Sequence, residues 1–451
     1  MKTIKYILFP VWVAFAGIVT GCNEASSPEV NMIQIEGVAW ACNVTTSYAV
    51  FGSTAETEEH LEVVLPASEG DLLYMLRDDF QLYCRYSPKK GNQLVVTFDT
   101  QNTVSVYLNG SLEYMELSGP SSLEAFKQLT DPEIEQLSAL YINSSLTEDL
   151  LSTLKHHEKS VYGIGLVLEG NSSLENIQDL LSICRPRFLV IDDSWKLPDP
   201  EESLSLSNLE LLWIEGNVPA LAKMVSCCSN LESLIVASWE PEPGELLPLA
   251  GLKKLQSLTI AESYLTSLMS VEFPESLRNL HLVSCDTLSD INSLRELHGL
   301  KRLGLTLCED VRDIDPLQGI NSLQWLSFPP NISHQEFMDL TDRFTQLEVV
   351  ELISCWEIND LAPLITLQKL NTLVLQLEKE QLTMIDSLDQ LKLLILTSEI
   401  FDDNPEWVKE LSSSLPNTTI VPGSGLCLGS GWLILLLPFI LLFRYLFRKK
   451  V

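Results

Sequence analysis

Three carboxylates, Glu169, Asp192 and Glu215, recur at equal steps along the chain, and two aromatic residues, Tyr141 and Trp213, fall one step off the same recurrence. If the period sets adjacent strands side by side, about 4.8 Å apart, the acids stack as like charges, which is unfavourable without a cation against them. Exposed aromatics beside such a column are the residue types found at binding hot spots. The group is therefore a candidate ligand-binding patch for a basic protein segment or a divalent cation. The alternative is three solvated acids whose repulsion salt screens. Other chemistry is thinly represented. The histidines are His60, His156, His157, His281, His298 and His334, and only the adjacent His156 and His157 are close in sequence. Neighbours on a chain rarely converge on one ion. No GxSxG, Walker loop, HExxH or CxxC pattern occurs. No enzyme, resident metal or cofactor is expected.

The elements that would position these residues are repeats. Leu277, Leu280, Leu282 and Cys285 share their spacing with Leu300, Leu303, Leu305 and Cys308, and with Leu347, Val350, Leu352 and Cys355. Aligned on the middle apolar residue, the copies run Met115, Leu140, Leu166, Leu189, Leu212, Leu234, Leu258, Leu280, Leu303, Leu326, Val350, Leu373, Leu394 and Thr418. Neither a helical nor a heptad period gives such steps. Side chains alternate along a strand, so the two leucines of each LxL face one interior, which stacked copies close into a continuous core. This LxxLxLxxC/N pattern resembles the leucine-rich repeat family. The resemblance implies a curved α/β solenoid of about a dozen repeats. A parallel sheet would line its concave face, with mixed helical or irregular segments behind. It also implies binding in place of catalysis. In that register the residue between the leucines points outward, which predicts Tyr141 and Trp213 exposed on the concave sheet. Cys285, Cys308 and Cys355 take the interior position held elsewhere by Asn171, Ser194, Asn217 and Ser263, and are expected to be free structural thiols; no histidine keeps step with them as a second ligand. One of Cys227 and Cys228 is expected in the core.

The formal charge of -32 understates the acidity of the working part. Six of the 29 basic residues lie in residues 1–22 and 426–451, which hold no acid, so 61 acids face 23 bases between them. Such a field repels nucleic acid and favours basic partners. It also keeps an extended solenoid soluble.

Both ends address a cell envelope. Lys2 and Lys5 precede an apolar run and then Val19, Thr20, Gly21 and Cys22, the order of a secretory signal. Residues 1–22 resemble a bacterial lipoprotein signal with its lipobox, which implies lipidation at Cys22 and, with Asn23 following, outer-membrane retention. An ordinary cleaved signal is the alternative. Residues 422–431 form a Gly/Ser-rich linker or sorting motif, 432–447 a hydrophobic transmembrane segment and 448–451 a basic cytoplasmic tail. Together they resemble tripartite C-terminal sorting signals of the rhombosortase-processed type. Cleavage near the linker would leave an outer-membrane or surface lipoprotein; retention would give a single-span inner-membrane protein.

Residues 23–110 lack the repeat. Alternation in 30–41 and 93–108 predicts strands, and the segment is expected to be a small β-rich module capping the open end of the solenoid, residues 111–421. Cys42 and Cys84 make a candidate disulfide in an exported protein, if their Cα atoms approach. Pro405 marks the first turn of a closing helix, and a last strand follows. The functional expectation is an envelope-anchored recognition or adhesion protein gripping a protein or glycan, possibly basic, on its concave face. The alternative is a structural or assembly factor of the envelope.

Overall fold

The computed structural model describes residues 111–423 apart from 118–119, 138, 143–146, 169–173, 193–205, 218–220 and 242–244. It also describes strand segments between 30 and 108 and at 427–428. Parallel strands run from Ser111–Leu117 to Thr419–Gly423, one per repeat. Their register is the one the leucine spacing predicts. Met115 pairs with Leu140, Leu140 with Leu166, and Leu189 with Leu166 and Leu212. The series continues through Leu234, Leu258, Leu280, Leu303, Leu326, Val350, Leu373 and Leu394. The last copy departs from expectation. Ile420, not Thr418, pairs with Leu394. A slip of two residues keeps the same side chains inward, because strand faces alternate with period two. It seats an isoleucine on the core row where a threonine was expected.

The N-terminal strands Val30–Ile35, Val38–Asn43, Tyr48–Val50, His60–Leu65, Asn92–Phe98 and Val104–Leu108 precede the array. Ser111–Leu117 joins the two parts, pairing antiparallel with Val104–Leu108 and parallel with Ala139–Ile142. His60–Leu65 pairs antiparallel with Asn92–Phe98, and that strand with Val104–Leu108, so an antiparallel meander leads into the first repeat.

The same local devices build successive repeats. Gly216, Ser238, Glu262, Ser284, Leu307 and Ser354 each follow their strand and all have positive φ, from 49° to 82°. The left-handed turn aims the backbone N–H at the next repeat. Ser238 donates to the Ala261 carbonyl, Glu262 to Val283 and Ser284 to Thr306, at 2.8–2.9 Å. Only one of the six is glycine, so five side chains accept a conformation that disfavours Cβ, held there by the neighbouring repeat.

Behind the sheet the return segments differ in length and type. Early repeats return through α-helices, Glu148–His156 and Leu174–Cys184. Later ones use short 3₁₀ turns, Asn292–Glu296, Asp315–Gly319 and Ala362–Thr366, with the α-helix His334–Arg343 among them. An aspartate starts each of these three turns. Asp290, Asp313 and Asp360 accept the backbone N–H two residues ahead at 2.9–3.0 Å, satisfying a donor the turn leaves unpaired. Pro405–Ser414 is the expected closing helix, with proline in its first turn.

Leu303 is wholly buried on the leucine row. Leu303→Ala should cost about 2–5 kcal/mol, and Asp313→Ala about 1 kcal/mol through the lost turn cap. Urea titration followed by circular dichroism measures both. Equal losses would contradict this division between core and cap.

Candidate functional site

The predicted patch does not form on an open face. Tyr141 and Trp213 are only 3 % and 1 % exposed, so they are packing residues in place of surface anchors. Most of their column is buried too, including Val167, Val190, Thr259, Val374 and Ile395, with Ile235 half-buried. These strands are buried on both faces, and such strands read as continuous apolar runs. That signal stands in the sequence, in Leu211–Glu215 as LLWIE and Leu393–Thr397 as LLILT. Of the three acids, Asp192 and Glu215 are register partners on adjacent strands and half-buried. The next residue in that column is Ala237, so the acids extend no further. Glu169 lies outside the described residues, as do Cys22, Cys84 and residues 432–447. Cys42 sits in the Val38–Asn43 strand, paired with Asn31 and Ala49. Among the described residues, no helix is long and apolar enough to cross a membrane.

A polar seam interrupts the buried column. His281, Ser327 and Glu351 occupy it on strands Asn279–Val283, Trp325–Ser327 and Val349–Ile353, and all are buried. The His281 ring lies 4.8 Å from that of Trp325, and the Arg302 guanidinium stacks over the same indole at 5.6 Å. Gly304, in the column beside His281, leaves room for the ring: a Cβ would stand 3.0 Å from the imidazole Nδ1, a tight contact. Burial first, and then the Arg302 charge, push His281 down to about 3, so the ring is neutral at physiological pH. The Ser327 hydroxyl hydrogen-bonds with Thr306 at 2.8 Å. The seam is thus a packed polar strip through an apolar lining. Spacing placed His281, Ser327 and Glu351 in one column but gave no sign of the contacts with Trp325 and Thr306, which cross repeats.

The accessible features lie at the edge where chains leave the strands. Just inside that edge runs the expected ladder. Cys285 Sγ lies 3.5 Å from the Ile260 carbonyl of the preceding repeat and 3.6 Å from Val283. Cys308 and Cys355 repeat the arrangement at 3.5–3.6 Å. Asn217 and Ser263 hold equivalent positions, accepting backbone N–H groups of Glu240 and Trp239 at 2.8 and 3.1 Å. The three ladder cysteines are free and buried, as are Cys184 and Cys228; Cys227 is only half-buried. Burial pushes the Cys184, Cys228 and Cys355 thiols up to about 12. Such thiols neither ionise nor bind metal readily.

Outside the ladder the chain turns to solvent, and there Tyr264 and Trp356 are 66 % and 59 % exposed. Between them in repeat order come Asp286, Glu309 and Asp310, all exposed, with half-buried Glu262 beside Tyr264. Burial and the charge of Asp286 push Glu262 up to about 7, and one of its carboxylate oxygens is buried without a hydrogen bond. Asp286 is raised in turn by burial and then by Glu309 and Asp310.

No family model matches this chain, and no curated protein matches it. Solved structures with related architecture include an internalin of Listeria monocytogenes at 18 % identity. That match covers 66 % of this chain and 92 % of the internalin, with a TM-score of 0.39. A leucine-rich repeat protein of Leptospira interrogans matches at 16 % identity over 68 % of this chain and 95 % of its own, with a TM-score of 0.34. A TLR13–ssRNA13 complex matches at 18 % identity over 64 % of this chain and 50 % of that chain, with a TM-score of 0.39. The fold is that of a leucine-rich repeat solenoid, established here by the in-register strands themselves.

Two measurements test this account. Alkylation of the native protein, read by peptide mass spectrometry, should label Cys227 ahead of Cys184, Cys228, Cys285, Cys308 and Cys355; equal labelling would show that the ladder is open to solvent. His281 gives a pH signature. Its folded value, about 3, lies below its ordinary 6.5, so between these the unfolded chain binds a proton the folded chain does not. Stability therefore rises with pH through that window and is fully present above about 6.5. Relative to His281→Asn, the unsubstituted protein should lose stability as pH falls from about 6.5 toward about 3. A constant difference would mean a solvated ring.

Proposed function

We propose that this chain is a non-catalytic recognition protein held at a cell envelope, which engages a protein or glycan ligand through loops at the edge of its sheet. One observation carries the reading. The array buries its apolar residues row by row, yet Tyr264 and Trp356 stand in solvent on loops anchored to a rigid ladder. Exposed aromatics on positioned loops are the usual furniture of binding, since loops carry function and aromatic rings supply contact area at low entropic cost. The buried centre of the sheet moves the ligand from the concave face to the strand-exit edge. Envelope placement rests on the lipobox-like Cys22 and the apolar segment 432–447, with the tail removed or retained after export. Nucleic acid is a poor ligand for a chain of net charge -32.

Intact-mass analysis of the native protein from separated membrane fractions, combined with a photo-crosslinking residue at position 264, tests both halves. The expected result is a lipidated Cys22 and a discrete adduct from 264 that a crosslinker at exposed Glu275, in the turn before strand Asn279–Val283, does not give. An unmodified N-terminus would remove the lipid anchor. No adduct at 264, with one at Glu275, would move the binding surface elsewhere.

A further inference from the structure

The strand-exit edge carries a chemical identity of its own. In the repeats from Ser257–Ala261 to Val349–Ile353, the same loop position holds Tyr264, Asp286, Glu309, the buried Ile332 and Trp356. Four strand spacings separate the first from the last, about 19 Å along the edge. Among the described residues, no lysine, arginine or histidine forms an ion pair with Glu262, Asp286, Glu309 or Asp310. The pairs present lie elsewhere, at Lys127, His157 and His334. The acids are close enough to disturb one another, since Asp286 raises Glu262, and Glu309 and Asp310 raise Asp286. Arg312, two residues beyond Asp310, forms no ion pair with these acids, and exposed rings mark the two ends of the strip.

We propose that this strip, bounded by Tyr264 and Trp356 and centred on Asp286, Glu309 and Asp310, docks an extended basic segment of a partner protein. The argument is charge complementarity joined to shape. Lysine or arginine side chains would pair with the central carboxylates, and further cations would lie over the terminal rings within about 6 Å of their centroids. An extended chain spans the 19 Å or so in about six residues, so one short segment reaches both rings. A glycan would use the rings but gain nothing from the unpaired acids. A bare divalent cation would use the acids but leave rings so far apart idle. The inference rests on the recognition reading and names the partner's chemistry and the residues that meet it.

The test uses the full chain in detergent micelles and a fluorescent peptide of alternating arginine and glycine, read by anisotropy at physiological salt. One variant removes the rings (Tyr264→Ala with Trp356→Ala). A second neutralises the strip (Asp286→Asn, Glu309→Gln and Asp310→Asn). A third makes the same charge change away from it (Glu275→Gln, Glu296→Gln and Asp342→Asn). All of these are exposed side chains, and unchanged thermal melting shows that each variant folds. The expected result is a loss of about tenfold or more in affinity for each of the first two, with the third within about twofold of the unsubstituted protein. Equal weakening by the second and third variants would mean attraction to the general field and would overturn the proposal. So would full retention of binding without the rings, or calcium binding that only the strip variant abolishes. A discrete crosslink from position 264 to a glycan would overturn this proposal and leave the recognition reading standing.

Discussion

Stacking of one repeat on the next is the constraint on which this protein depends. A single copy offers a five-residue strand and a return segment, with an apolar row it cannot bury alone. Leu280 is dry only because Leu258 and Leu303 lie on either side of it in register. Each such row closes the one before it, so stability is spread as a series of interfaces between neighbours. The ends of such a series expose unpaired rows, and here the antiparallel strands Val104–Leu108 and Asn92–Phe98 extend the sheet beyond the first repeat.

The strand-exit turn translates stacking into a surface. Its left-handed residue directs an N–H at the next repeat, and the small ladder residue behind it gives its Sγ or oxygen to backbone groups. Between them they fix the backbone from which the following residue projects. Where that residue is Tyr264 or Trp356, the projection is an exposed ring on a loop with little freedom to retreat. Where it is Asp286 or Glu309, carboxylates come side by side. Like charges are tolerated at this spacing because the leucine rows beneath supply far more free energy than the repulsion costs. Glu262 shows the strain most plainly, with positive φ, a partly buried carboxyl and no counter-charge.

The inner face follows a different rule. Apolar residues on both sides of a strand signal a sheet covered twice, and most of this sheet reads that way. His281, Arg302, Trp325 and Glu351 break the pattern within a few repeats. A neutral imidazole beside a guanidinium is what burial dictates, since the charged ring would have neither water nor a nearby anion to solvate it. Such a seam narrows the ways the array can be stacked, because a shift by one repeat would set His281 against a residue larger than Gly304.

The sequence by itself determined the period, the register from Met115 to Leu394, the interior ladder of Cys285, Cys308 and Cys355, and the helix at Pro405. These depend on interactions between equivalent positions of adjacent copies, which a fixed step writes directly into the chain. It misplaced the final register by two residues, where a helix of another length broke the step. It also turned Tyr141 and Trp213 outward, because alternation tells one face from the other but not whether a face meets water. That choice belongs to what covers the inner face in the assembled array, which no single repeat encodes. The strip from Tyr264 to Trp356 was likewise hidden. Its members lie whole repeats apart and differ in kind, and only the stacked turns bring them onto one edge.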